Sequence, residues 1–410
     1  MNKFISFGDI ADFRNGLNFS KESHGKGCLL IGVADFKDNF KPQYETVGEI
    51  NPVGAAKEDD YLKKGDLIFV RSNGNKALVG RSMFIDKEVK ALYSGFCIRS
   101  RLKDDIIDPQ FLAYFAKSEY FRKSIAQADG TNINNLNQGI LSAVKLPIFE
   151  RSLQNRIVET LSWIDEKIEL NNQINAELEA MTKLIYDYWF VQFDFPDANG
   201  KPYKSSGGKM VYNKELKREI PAGWDVGTLL DIATFTNGIA CQKHRPIEGE
   251  DYYKVIKIRE MSAGFTEKSE FVSKRIPEKV VVNNGDVLFS WSATLDVKIW
   301  AGGKGGLNQH IFKVTSKKYP RTYYYFEVLR YLQHFKMIAE LRKTTMGHIT
   351  QDHLKQSRIP IAPERLIDSL HMKLEPIIEK IVSSKEGNIR LEQLRDWLLP
   401  MLMNGQVTVK

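Results

Sequence analysis

The stretch GDIADFRNG (Gly8–Gly16) returns as LDIATFTNG (Leu230–Gly238), and this echo decides the fold. Working outward, GDLIFVRS (Gly65–Ser72) returns as GDVLFSWS (Gly285–Ser292), and Leu146-Pro147-Ile148 returns as Ile359-Pro360-Ile361. Trp189, near the end of a long apolar-periodic helix, returns as Trp397. The offset between copies shrinks steadily along the chain, as in two diverged copies with small deletions. A unit of roughly 200 residues is far longer than the about 20–50 of a solenoid repeat. It is a whole module, used twice: a globular domain followed by a long helix.

Each copy begins with short β-rich runs broken by Gly, Asn and Asp turns, such as Cys28–Val33, Leu67–Val70 and Phe96–Arg101. Asp108-Pro109 then has the chemistry of a helix start, with Asp as cap and Pro in the first turn. Pro320 opens the matching helix of the second copy. A polar loop follows in each copy: Gly130–Asn137 in the first and Thr344–Gln351 in the second.

From Leu153 to Val191 there is neither Gly nor Pro, and apolar residues recur every three or four positions. The expected seam runs through Ile157, Leu161, Ile164, Ile168, Leu178 and Ile185, with Ile174, Met181 and Tyr188 on the same stripe. In the second copy it runs through Leu370, Leu374, Ile377, Ile381 and Leu391. Asn171, Asn172 and Asn175 interrupt the first stripe, and Ser384 and Asn388 the second. A buried Asn at such a position fixes register at a cost in stability. Each stripe alone could pack on its own domain, but two, each ending a repeat, favour pairing with one another. Pro376 and Gly387 predict a bend in the second helix, or a start at Pro376. Trp189 and Trp397 are expected to pack at the helix–domain junctions. Residues 194–224, polar and rich in Gly, Ser and Lys, read as a connecting loop outside the core.

The expected class is therefore α+β. Two domains of mixed strands and helices are separated by two long helices that pair as an antiparallel coiled coil, with a pseudo-twofold internal repeat. The boundaries are 1–146 for the first domain, 147–193 for the first helical spacer, 194–360 for the loop and second domain, and 361–410 for the second spacer. A helix from Leu153 to Val191 would span about 58 Å at ~1.5 Å per residue. Two unlike readers on a rigid spacer suit a target of two different half-sites at a fixed gap.

The net charge of +8 is unevenly spread: +3 over 1–146, −6 over 147–199, +11 over 200–360 and 0 over 361–410. Basic domains attract a polyanion through phosphate neutralisation and counterion release. Cys28, Cys97 and Cys241 lie far apart, which fits a reducing cytoplasm and excludes a cysteine-rich metal site or a disulfide framework. There is no apolar run long enough for a membrane helix and no secretory signal core.

The candidate DNA-reading residues follow the repeated strands. Arg71, Ser72, Asn73, Asn75 and Lys76, with Arg81, combine the side chains that read guanine, read adenine and hold phosphate. Asn73-Gly74 equally suits a solvated turn. The matching segment offers Ser290, Ser292, Thr294 and Lys298, with Trp291 as a stacking or wedge candidate, or else a core residue. The polar loops add Thr131, Asn132 and Asn134, and Lys343, Thr344 and His348; their alternative role is helix capping before Leu141 and Leu354. No nucleotide-hydrolysis loop, methyl-donor pocket or metal-ligand spacing is present. Asn51-Pro52 is followed by Val53-Gly54 rather than an aromatic, and Glu88-Val89-Lys90 lacks a nuclease frame. The chain is expected to have no active site, metal or cofactor of its own.

These features together resemble the specificity subunit of a Type I restriction–modification system, over essentially the full length. The most specific pieces are DFPDANGKPYKSSGGKM (Asp194–Met210) with IPAGW (Ile220–Trp224), and EKIELNNQINAELEAMTKLIYDYWF (Glu166–Phe190). GDLIF, GDVLF and LRDWLLPMLMNG (Leu394–Gly405) also fit. Pro376, Gly387 and the entry Pro147-Ile148-Phe149, in place of the usual Pro-Pro-Leu, depart from the pattern. The resemblance implies two target-recognition domains, each reading half of a split double-stranded DNA sequence. It implies docking of two methyltransferase subunits on the helices, addition of restriction/translocase subunits, and S-adenosylmethionine in the methyltransferase partner. The alternative is a non-catalytic protein scaffold with weak or no DNA specificity.

Overall fold

The computed structural model describes residues 3–19, 23–36, 39–52, 54, 56–75, 78–128, 135–341 and 349–407. The chain divides into two compact units, Met1–Lys167 with Leu391–Lys410, and Ile168–Arg390. The division falls inside the two long helices.

In the first unit, Lys3–Ser6 pairs antiparallel with Lys145–Ile148, closing the domain where its helix begins. A four-stranded sheet orders Ala11–Asn15, Cys97–Leu102, Leu67–Val70 and Ser82–Phe84. A second sheet orders Glu49–Ile50, His24–Ile31 and Ala91–Tyr93, the last two parallel. The second unit repeats the plan. Asp225–Thr228 pairs with Arg358–Ile361. Its four-stranded sheet orders Thr234–Asn237, Ile311–Thr315, Val287–Ser290 and Asp296–Ile299. Its other sheet places Tyr252–Ile256 parallel to Gly305–Leu307 and adds a strand, Val281–Val282.

The Gly-Asp repeat has a local cause. Gly65 (φ 92°) and Gly285 (φ 89°) turn the chain into the central strand in a left-handed conformation that glycine alone adopts freely. Asp66 then accepts from the Lys63 amide at 2.8 Å and Asp286 from the Asn283 amide at 2.7 Å. Each carboxylate also pairs with a cation of the neighbouring strand, Arg101 at 2.6 Å and Lys313 at 2.8 Å. The motif is a turn lock.

Asp108 caps the helix Pro109–Lys117 through the amides of Gln110 and Phe111, as its sequence predicts. In the second unit Pro320 immediately precedes the helix Arg321–Leu341. The loop Asp194–Trp224 is not peripheral. It folds as a hairpin, Met210–Asn213 with Arg218–Pro221, and Phe195, Ile220 and Trp224 enter the main core of the second unit. Aromatic residues spaced between the Gly, Ser and Lys make it a packed cover: Phe195 stacks on both Tyr203 and Trp224.

The long helices run Arg151–Tyr186, continued by a π turn over Asp187–Val191, and Glu364–Met403. In the first unit Ile157 and Leu161 share a core with Leu402 and Met403, and Asp165 meets Arg395 at 2.8 Å. In the second unit Asn171 donates to Asn388 at 2.7 Å, and Glu179 meets Lys385 at 2.6 Å. Rising numbers in one helix meet falling numbers in the other within each unit, so the pairing is antiparallel. The second helix is unbroken, correcting the bend or late start expected from Pro376. The hydrogen bond that proline deletes is to the Met372 carbonyl, at an exposed turn where water can replace it.

Ile157, Leu161, Ile164, Leu370, Leu374 and Ile381 are buried. Ile168, Leu178, Ile185, Ile377 and Leu391 are half-buried, and Ile378 takes the central place expected of Ile377. In mid-helix, Asn175 and Thr182 are buried while Ile174 and Met181 are exposed. Strict alternation of threes and fours leads the seam from Leu161 through Ile164, Ile168 and Asn171 to Asn175. Following hydrophobicity alone steps off it at Ile174. Trp189 is buried, but Trp397 is 63% exposed, correcting the packing role expected of it. Trp189 lies under Phe190 and the aromatic core of the second unit.

Asn388 sits between Asn171 and Asn172, donating to Asn172 at 2.9 Å. Asn175 is only 3% exposed and both its amide atoms lack a hydrogen-bond partner. A buried amide without partners costs about 1–3 kcal/mol. Asn175→Leu is therefore expected to raise stability by about 1–2 kcal/mol. Urea denaturation of the complete chain checks this, and a midpoint below wild type would refute it. Among the described residues, no helix is long and apolar enough to cross a membrane.

Candidate nucleic-acid interface

Four backbone segments converge at one end of the central strand in each unit. In the first, the strand Leu67–Val70 delivers Arg71. The Arg71 amide donates to the Phe96 carbonyl at 2.7 Å, and the Arg71 carbonyl accepts from Leu136 at 2.8 Å. Gly16 donates to the Cys97 carbonyl at 3.0 Å and Leu17 to Tyr93 at 3.1 Å. In the second, Trp291 donates to the His310 carbonyl at 3.3 Å and accepts from Ile349 at 3.0 Å. Gly238 donates to Ile311 at 3.0 Å and Ile239 to Leu307 at 2.9 Å. The frame is the same bond for bond; the side chains it carries differ.

The repeated Asn-Gly dipeptide makes a close backbone-to-backbone approach in both frames. A Cβ on Gly16 would lie 2.2 Å from the Ser94 carbonyl oxygen, and one on Gly238 would lie 2.2 Å from that of Asn308. The asparagines before them also serve both frames. Asn15 accepts from the Gln138 side chain at 3.3 Å, and Asn237 from the Trp291 ring nitrogen at 3.1 Å.

The expected residues now have places. Arg71, Ser72 and Asn73 are half-buried at the strand end, Asn75 is exposed, and Arg81 is half-buried on the returning segment. Asn73 accepts from the Asn75 amide at 2.8 Å, so the turn has the side-chain chemistry expected of Asn-Gly. Asn137 caps the helix Gln138–Ala143, which bears out the capping role of that loop's end. Thr350 opens the corresponding helix Gln351–Lys355, with the His353 ring accepting from its amide at 3.0 Å. Lys76, Thr131, Asn132, Asn134, Lys343, Thr344 and His348 lie outside the described residues.

Three expectations in the second unit are corrected. Ser290 is fully buried, and its hydroxyl donates to the Thr294 carbonyl at 2.7 Å. Ser292 is buried too. Both shape the turn, where Ala293 adopts φ 55°, rather than offering hydroxyls to a groove. Lys298 pairs with Leu288, away from the strand end, and lines a cavity of about 450 Å³ beside Glu179 and Lys385. Strand alternation carries it there; counting along the loop could not. Trp291 is half-buried beside Phe312 and His310, and Thr294 is exposed.

Nothing in the linear order marks Phe96, Gln138, Gln309 or His310 as site residues, and Asn15 and Asn237 stand out there only as part of the repeat. The repeated Asn-Gly was the available signal for the asparagines. The others announce nothing locally, because their position depends on which turn faces the strand end. Among the described residues, no cluster of three His, Cys, Asp or Glu side chains could hold a metal ion.

The family model of the Type I restriction modification DNA specificity domain matches residues 2–180 and 221–387. The chain is 23% identical to the Type I restriction enzyme MjaIX specificity subunit of Methanocaldococcus jannaschii, covering 100% of this chain and 94% of that one. It is also 23% identical to the HindI specificity subunit of Haemophilus influenzae, covering 99% of each. The crystal structure of the Type I restriction–modification S subunit from M. genitalium superposes with a TM-score of 0.53 at 13% identity, over 98% of this chain and 95% of that one.

Proposed function

The chain belongs to the Type I restriction modification DNA specificity family, and from that premise we propose that each unit reads one half of a split, asymmetric DNA target. It is the recognition subunit of a restriction–modification complex, not a catalytic one. The observation that carries the two-half reading is the duplicated frame. Identical backbone bonds present Arg71, Asn73, Asn75 and Gln138 in one unit, and Trp291, Thr294, Gln309 and His310 in the other. Frame sets position; side chains set sequence. The basic balance of both domains supplies the phosphate attraction that any such reader needs. A scaffold with weak DNA contact is not favoured, since both halves match a DNA specificity model.

Two methyltransferase subunits dock on the helices in this reading. Leu170, Ile174, Met181, Leu184 and Tyr188 form an exposed apolar stripe on the first helix within the second unit. Trp163, Leu394 and Trp397 are exposed on the helices within the first. S-adenosylmethionine belongs to the methyltransferase, and restriction/translocase subunits complete the nuclease form.

The test is a methylome. The chain is co-expressed with its methyltransferase in a methylation-free host, and modified bases are mapped. One split motif with unlike halves and a fixed gap is expected. Exchanging residues 1–146 for another recognition domain should change one half only. Alteration of both halves, or no modification by an assembled complex, would overturn the reading.

A further inference from the structure

We infer that Phe96 is the apolar base contact of the first domain, and this rests on the reading of the loop frame as a DNA interface. Phe96 is 57% exposed at the tip of the turn that faces the strand end. The frame that carries it is largely polar: Asn15, Arg71, Asn73 and Gln138 belong to it. A large ring left half in water there has no packing role that its exposure would serve.

Its backbone is held firmly. The carbonyl accepts from Arg71 at 2.7 Å and Ser72 at 3.4 Å, and its amide donates to the Ser94 hydroxyl at 3.3 Å. The preceding Gly95 lies so close to Asn18 that a Cβ would sit 2.1 Å from the Asn18 Oδ1. The backbone that carries the ring is therefore held in place, so binding has only the side chain left to order. The duplicate frame shows what is variable. His310 occupies the matching position, half-buried, its ring centroid 5.8 Å from that of Trp291. The aromatic offered by the second domain is thus Trp291, from the other side of the same backbone bond, anchored by Asn237. Phe96 and Trp291 are thus delivered from different positions of the two frames. An apolar ring at a base edge takes a thymine methyl or stacks on an unpaired base face, and both reward an exposed Phe.

The experiment uses the complex of the chain with its methyltransferase partner, and a duplex bearing the mapped recognition sequence. Phe96→Ala should lower specific affinity about tenfold or more, the loss expected of one aromatic–base contact. The slope of log K against log salt should stay unchanged, because no phosphate contact is removed. Discrimination against changes in the second half should persist, and the thermal midpoint should match wild type. Replacing thymine by deoxyuridine in the first half identifies a methyl contact if the loss is not additive with Phe96→Ala. A 2-aminopurine signal lost in Phe96→Ala identifies stacking. Unaltered affinity and first-half discrimination in Phe96→Ala, with a specific wild type, would overturn the role of Phe96 alone. A wild-type complex without sequence preference would overturn the parent reading with it.

Discussion

Gly16→Ala is expected to abolish reading of the first half-site while leaving the second intact, and Gly238→Ala to do the reverse. The reason is contact, not conformation. Neither residue has a positive φ, so an alanine would meet no backbone strain of its own. Each methyl would fall 2.2 Å from a carbonyl oxygen, and a second carbonyl, of Tyr93 or Leu307, is 2.5 or 2.6 Å away. Backbone on both sides must separate, and it is the backbone that holds Arg71 to Phe96 and Trp291 to His310. Overpacking costs about 1–3 kcal/mol where side chains can yield. Here rigid carbonyls receive the methyl, and a loss of about 3 kcal/mol is expected in the affected unit. Mapping methylated motifs for each variant gives the functional effect, and thermal denaturation gives the structural one. An unaltered motif in both variants would show that the frame does not position the reading residues.

Glu327→Ala should strongly destabilise the second unit. Glu327 is 1% exposed. It accepts from the Tyr186 hydroxyl at 2.6 Å and from Arg330 at 2.5 Å. Burial, then the Glu327 carboxylate, pushes Tyr186 well above the ordinary phenol range, so it stays a neutral donor. Burial opposes the charge on Arg330, but the Glu327 carboxylate outweighs it and holds the guanidinium charged. Arg218, stacked over Phe193 at 4.8 Å, has two buried nitrogens without hydrogen-bond partners, and its pKa is lowered by burial and by Arg330. Removing Glu327 would leave these cations facing one another in the interior. Breaking a buried pair from one side costs about 3–5 kcal/mol, whereas replacing both partners by apolar groups is often neutral. Glu327→Leu with Arg330→Met should therefore recover most of what Glu327→Ala loses. Urea denaturation of the three proteins decides it: a single variant within about 1 kcal/mol of wild type would rule out a stabilising role for this carboxylate. Tyr186 ends the regular part of the first long helix, so the cluster ties that helix end to Arg321–Leu341.

Much of the architecture was legible because its causes are local or are written twice. The Gly-Asp turn, the Asp108 cap and the paired Leu146-Pro147-Ile148 and Ile359-Pro360-Ile361 strands act through neighbours in sequence or through repetition. Errors fell where local signs conflict with packing. Pro376 reads as a breaker, but its lost hydrogen bond faces water. Asn175 reads as an interruption, yet seam geometry buries it. Gly, Ser and Lys in 194–224 read as a loop, while the few aromatics among them carry the core.

The duplication, the α+β class, the two helical spacers and the family are all readable from the linear order, because periodicity, turn chemistry and repetition are properties of that order. The same order marks the loops after the central strands as candidates. Which side chains those loops present depends on the folded arrangement. Ser290 and Lys298 were withdrawn from the candidate surface, and Phe96 and His310 were brought to it, by backbone bonds between residues far apart in the chain. Exposure at a convergence of four segments is set by those long-range bonds, and no window of sequence contains them.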